Sequence, residues 1–156
     1  MAQAMVEGTS MTNLRLAEAF LDRARARLDA LDALRSEADF SDVFREARDI
    51  VELCFRGMLR IVGIEVPRWR DVGEVLTESV GRLPDEVATN KARILEIHRD
   101  LKRERPSAPV DEVPIPVVKL LVADADRAIS EAEWILELAQ LTVDIVSRRR
   151  VPATQG

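Results

Sequence analysis

The chain has 156 residues, 47% hydrophobic and 33% charged, the profile of a soluble globular protein with one domain and one core. A lone cysteine, Cys54, rules out an internal disulfide, and neither a signal peptide nor an apolar run near the roughly 18 residues of a membrane span occurs, so a cytoplasmic protein is expected. The net charge of −5 argues against nucleic-acid binding through overall charge, although 20 arginines against three lysines suit bidentate phosphate contacts; genome composition or growth temperature also accounts for that bias.

Residues 1–11 lack periodicity and read as a disordered segment. From Thr12, a plausible N-cap, Leu14, Ala17, Leu21, Ala24, Leu28 and Leu31 recur at spacings of three and four. They form one apolar stripe on a helix, narrow enough to pack along another helix within the fold or across a dimer. A second helix is expected from Ser41 to Val62, capped by Asp39 or Ser41. Its half "IVELCFRGMLRIV" is apolar nearly all round, which places it at the centre of a bundle, with Glu52 and Arg56 spaced for an ion pair.

Gly63 should stop that helix and Pro67 prevent its resumption. Asp71 and Glu74 have capping-box spacing, which predicts a short helix from about Val72 to Gly81. The next helix is predicted to start with Pro84 in its first turn and to run through the basic end "RDLKRER" to Pro106. Four prolines between Pro106 and Pro116 make a loop. The last helix spans about Val117 to Ser147, with Ala125, Ala128 and Ala132 allowing close approach, and 148–156 reads as a flexible basic tail. The sum is an all-α, up-and-down bundle of four long helices and one short one over residues 12–147.

Several chemistries lack their residues. One Cys and one His cannot supply a zinc cluster, the Glu-x-x-His pairs of di-iron bundles are missing, and there is no phosphate-binding glycine loop, so neither metal nor cofactor is expected. Three constellations remain. Arg68, Trp69 and Arg70 sit at a helix-to-helix turn, where Trp69 either packs onto the bundle end or stacks a base beside an arginine plane. Arg93 and His98 could serve RNA cleavage, the imidazole moving a proton and the guanidinium holding phosphate charge. Residues five apart lie about 140° from each other on a helix, so the pair converges only if the helix breaks or a second subunit joins. The basic end closing on Arg105 is either a solvated cap or a phosphate-contacting patch.

The stretch from Phe40 to Ser79, "FSDVFREARDIVELCFRGMLRIVGIEVPRWRDVGEVLTES", resembles the higher-eukaryote-and-prokaryote nucleotide-binding (HEPN) domain family, most specifically in its Gly-Ile-x-x-Pro turn. The resemblance extends more loosely over 12–147. It implies a helical bundle, usually a homodimer, partnered in many members by a minimal nucleotidyltransferase. Many members are metal-independent ribonucleases with an Arg-(x)4–6-His motif, and others are proposed to bind nucleotide or RNA without cleaving it. Here Arg70 stands where relatives often have His, Ile94 where catalytic versions usually have a polar residue, and there is no tyrosine after the basic helix end.

The expectation is therefore a non-catalytic, dimeric nucleotide- or RNA-binding module. Arg68, Arg70 and Arg105 would contact phosphate, and Trp69 would pack on the bundle or stack on a base. A toxin-type endoribonuclease using Arg93 and His98, and a purely structural assembly module, are the alternatives.

Overall fold

A computed structural model of the chain describes residues 2–105 and 110–150, with side chains from residue 11 to residue 149 within those ranges. Six α-helices are present and no strand occurs among the described residues: α1 (Ala2–Ser36), α2 (Phe40–Ile61), α3 (Val72–Glu78), α4 (Asp85–Thr89), α5 (Lys91–Lys102) and α6 (Ile115–Arg150). The all-α bundle expected from the periodicity is the architecture found. No helix among the described residues is long and apolar enough to cross a membrane.

The predicted stripe of α1 is used within the chain: Ala17, Leu21, Ala24 and Leu31 are buried, with Leu14 and Leu28 packed against the same core. The helix begins at Ala2, ten residues before Thr12, so residues 2–11 belong to it. A three-residue corner then reverses the chain. Asp39 N donates to Leu34 O at 3.2 Å and Ala38 N to Arg35 O at 3.1 Å, with Ala38 left-handed at φ 58°. Asp39 is the N-cap of α2, its carboxylate accepting from the amide of Asp42.

As its all-round apolar surface predicts, α2 is the central helix, burying Ile50, Val51, Cys54, Phe55, Met58 and Leu59 between α1 and α6. Burial pushes the Cys54 thiol up to about 12, which keeps it protonated and inert. At the other end, Gly63 (φ 81°) donates to Arg60 O and Ile64 to Leu59 O, both at 2.9 Å. That pattern of reverse bonds satisfies the last carbonyls and needs a residue without a Cβ penalty at Gly63.

Arg35 pairs with Asp126 at 2.7 Å and Arg25 bonds Gln140, which sets α6 antiparallel to α1. Arg93 over Trp134, Asp100 with Arg127 and Arg103 with Asp124 set α5 antiparallel to α6 in turn. The order α1, α2, α5, α6 is therefore up, down, up, down. Ala125, Ala128, Ala132 and Ala139 are all buried, and their small side chains let α6 approach its neighbours closely.

Two expectations are corrected here. The helix predicted as one piece from Pro84 is divided at Asn90, whose side-chain amide donates to Glu86 O at 2.7 Å and so competes with the helical ladder. Pro84 precedes α4 as its cap, and α5 stops at Lys102. At the far end Arg148, Arg149 and Arg150 continue α6, while 151–156 lie outside the described residues. In the proline-rich loop, 106–109 also lie outside them, and Val110–Glu112 form a 3-10 turn.

Candidate functional site

The loop between Gly63 and Asp71 connects α2 to α3 at one end of the bundle, and both its ends are clamped. One clamp is the Gly63 corner. The other is Asp71, which caps α3 by accepting from Glu74 N at 3.1 Å and is held from the side by Lys102 of α5. Between the clamps Trp69 is 83% exposed, the most exposed large apolar side chain among the described residues. Of the two expected alternatives, packing on the bundle is not the one found: the two turns fix the backbone without its help, and no element among the described residues covers it. Arg68 beside it is exposed and makes no ion pair among the described residues. Arg70 is engaged by Glu78, Nη1 and Nη2 donating at 3.0 and 2.7 Å, with Glu74 at 3.7 Å. The Arg70 guanidinium accordingly holds the Glu78 carboxyl below its usual range.

His98, four residues before Lys102 on α5, points inward and is only 4% exposed. Nε2 faces Glu52 Oε1 at 3.4 Å, Nδ1 faces Asp71 Oδ1 at 3.8 Å, and the ring meets Phe55 edge-on at 5.3 Å. The tautomer with its hydrogen on Nε2 donates to Glu52. Glu52 also accepts from Arg48 Nε at 3.1 Å, and this replaces the pairing with Arg56 expected from spacing. A group placed deeper in the bundle outcompetes the surface partner because Glu52 turns toward His98.

Gly73 makes room for this ring. A methyl at that position would stand 2.5 Å from His98 Cε1 and closer still to Nδ1. His98 therefore ties α5 to α2 and to the cap of α3, and through that cap to the Trp69 loop. Arg93 takes no part, since its guanidinium lies 3.7 Å above the Trp134 ring on α6. Within one chain the two members of the Arg-His motif thus face different helices.

Arg105 is likewise placed inward. Its side chain is 6% exposed, its guanidinium stacks 3.9 Å above Phe44, and Nη2 donates to Asp100 Oδ2 at 3.1 Å. Asp100 and Asp124 also hold Arg103 and Arg127, so three arginines of this seam are met by two aspartates. Burial lowers the Arg105 pKa, and the pairing with Asp100 and Asp124 opposes that shift. Among the described residues, no group of three or more His, Cys, Asp or Glu side chains is arranged to hold a metal ion.

Glu52 and Asp71 carry a pH prediction. The hydrogen bond from His98 holds the Glu52 carboxyl below its ordinary 4.5. For Asp71, burial pulls upward, but Lys102, the Glu74 amide and His98 together hold it below its ordinary 3.8. Carboxyls depressed by folding contribute stability above their unfolded values and lose it as pH falls through the folded ones. Thermal denaturation should therefore give a midpoint that declines as pH drops below the ordinary carboxyl values of 4.5 and 3.8. Glu52→Gln should flatten that decline, and an unchanged acid limb would show that Glu52 is not stabilised as described.

Neither the curated proteins nor the solved structures contain a significant match to this chain. The family comparison does. The HEPN domain profile matches residues 17–142, from the buried stripe of α1 through the Trp69 loop and the His98 helix to the last turns of α6. The profile covers most of the chain, and the bundle it spans is the one the Phe40–Ser79 resemblance implies: the chain belongs to the HEPN domain family.

Proposed function

We propose that this HEPN domain is a non-catalytic binding module that holds a nucleotide or a single-stranded RNA segment at the Arg68–Trp69 turn. The observation that carries the reading is the 83% exposure of Trp69 on a loop clamped at both ends. Exposing an indole costs roughly 25 cal/mol per Å² of apolar surface, and a rigid backbone lets the ring be presented without ordering entropy on binding. A base stacks on its face, and the exposed Arg68 guanidinium meets the adjacent phosphate. Arg70 contributes from Glu78 only by exchanging one carboxylate for a phosphate, so it acts as a support more than as a contact. The inward positions of His98 and Arg105 favour structural roles for both.

Stacking on one aromatic ring is worth about 1–3 kcal/mol, so Trp69→Ala should weaken RNA or nucleotide affinity roughly tenfold, with Trp69→Phe intermediate. Equal affinity for Trp69→Ala and wild type in a fluorescence anisotropy titration would remove the turn from the site.

Family members commonly pair with a nucleotidyltransferase, and a protein partner is the second reading. It is favoured by Ile115 and Leu120, 73% and 68% exposed on the first turns of α6. A second copy of the chain, as in the homodimers usual for the family, competes for the same surface. Ribonuclease action by Arg93 and His98 requires the partner copy to bring an arginine to His98, because the chain's own Arg93 lies on Trp134.

A further inference from the structure

At the α5–α6 seam Arg103, Arg105 and Arg127 are matched by Asp100 and Asp124, and at the start of α3 Arg70 is matched by Glu78. A cluster near the C-terminal end of α6 is not matched in this way. Arg82, in the 3-10 turn Val80–Arg82, donates from Nη2 to the Val62 carbonyl at 2.6 Å and meets no carboxylate among the described residues. Arg148 bonds the backbone carbonyl of Asp144 at 3.3 Å, and Arg149 is exposed without an acidic partner among the described residues. Val62, Arg82, Val146 and Arg149 line one open depression of about 330 Å³.

The nearby acids are committed. Asp144, one turn back on α6, accepts from Gln140 Nε2 at 2.9 Å; Glu65, on the loop after α2, lies 3.6 Å from Arg60; Glu78 holds Arg70. In a chain with five more acidic than basic residues, unmatched arginines gathered from two segments are unexpected. Cations at a helix C-terminus complement its dipole, and that accounts for Arg148 and Arg149. It does not account for Arg82, which belongs to a different segment, lines the same depression as Arg149 and is held by its bond to Val62.

We infer that this depression is a phosphate-binding cleft. Arg82 and Arg149 line it from two segments, and Val62 and Val146 supply an apolar floor for the sugar or for carbon atoms of the ligand. Guanidinium groups bind phosphate oxygens in a fork, and two from different segments fix a phosphate more closely than a flexible tail would. The ligand class is a phosphate ester: the backbone of an RNA strand or the phosphates of a free nucleotide. The cleft uses none of the residues assigned to the Trp69 turn and stands independently of it.

Anisotropy of a labelled single-stranded RNA dodecamer, measured across a salt series, tests it. Arg149→Gln, at an exposed position, should weaken binding severalfold and reduce the salt slope by roughly 0.7, the value of one contact. Arg82→Gln should do the same to a smaller extent, and Arg99→Gln, an exposed arginine on α5, should change neither quantity. Displacement of the strand by ATP or inorganic phosphate at equal concentration would identify a compact phosphate ligand. Retention would identify the strand backbone; both outcomes support a phosphate site. Unchanged affinity and slope in both cleft variants, or a wild type that binds neither RNA, ATP nor phosphate, would overturn it. Trp69→Ala should lower affinity with the salt slope intact, so failure at the turn and failure at the cleft read out separately.

Discussion

Gly73→Ala is expected to destabilise the protein by about 2 kcal/mol or more, lowering the melting midpoint by roughly 5–10 °C. On helix propensity alone the change should help, by up to about 1 kcal/mol, because Gly73 lies in the first turn of α3. Sterics reverse the sign. The added methyl would stand 2.5 Å from His98 Cε1 and 3.1 Å from Asp71 Oδ1. The ring cannot swing aside cheaply, since it is flanked by Glu52, Asp71 and Phe55. Moving it would unpair a buried donor and loosen the α3 cap. The double variant Gly73→Ala/His98→Ala should recover much of the loss, a coupling that a thermodynamic cycle measures directly. Additive losses would mean that the two residues do not share one space.

Arg105→Ala should cost about 2–3 kcal/mol, read by chemical denaturation. Breaking a buried ion pair costs about 3–5 kcal/mol when the surviving charge is left alone. Here Asp100 and Asp124 keep Arg103 and Arg127, which reduces the penalty, while the stack on Phe44 is lost outright. Arg105→Lys should recover part of the stability, because it restores charge without the planar group. RNA affinity of the folded variants should remain within about twofold of wild type. Full stability with lost affinity would instead make Arg105 a ligand contact.

The long helices were legible because each buries a continuous stripe, and the turns because Asp39, Gly63 and Asp71 carry local signals that need no distant partner. Asn90 was harder: Thr89 and Asn90 are weak helix formers, but nothing local shows that the side chain bonds back to Glu86. The surroundings of His98 were hidden for a tertiary reason. Glu52 is 46 residues away, and the value of Gly73 as empty space is visible only once α5 lies against α3. Trp69 was undecided because an indole ordinarily finds cover, and only the assembled bundle shows that no element among the described residues passes over it. The arginines were countable but not sortable. Whether Arg105 or Arg149 has an acid opposite depends on which helices meet, so the matched seam and the unmatched end of α6 look alike in the chain.

The central claim, that this HEPN domain binds through an exposed tryptophan without cutting what it binds, is tested most directly by tryptophan emission during titration with single-stranded RNA, with strand length checked afterwards on a denaturing gel. The account predicts saturable quenching that disappears in Trp69→Ala and RNA that stays intact without added metal. Quenching that persists in Trp69→Ala, or strand cleavage that is lost in His98→Ala, would contradict it.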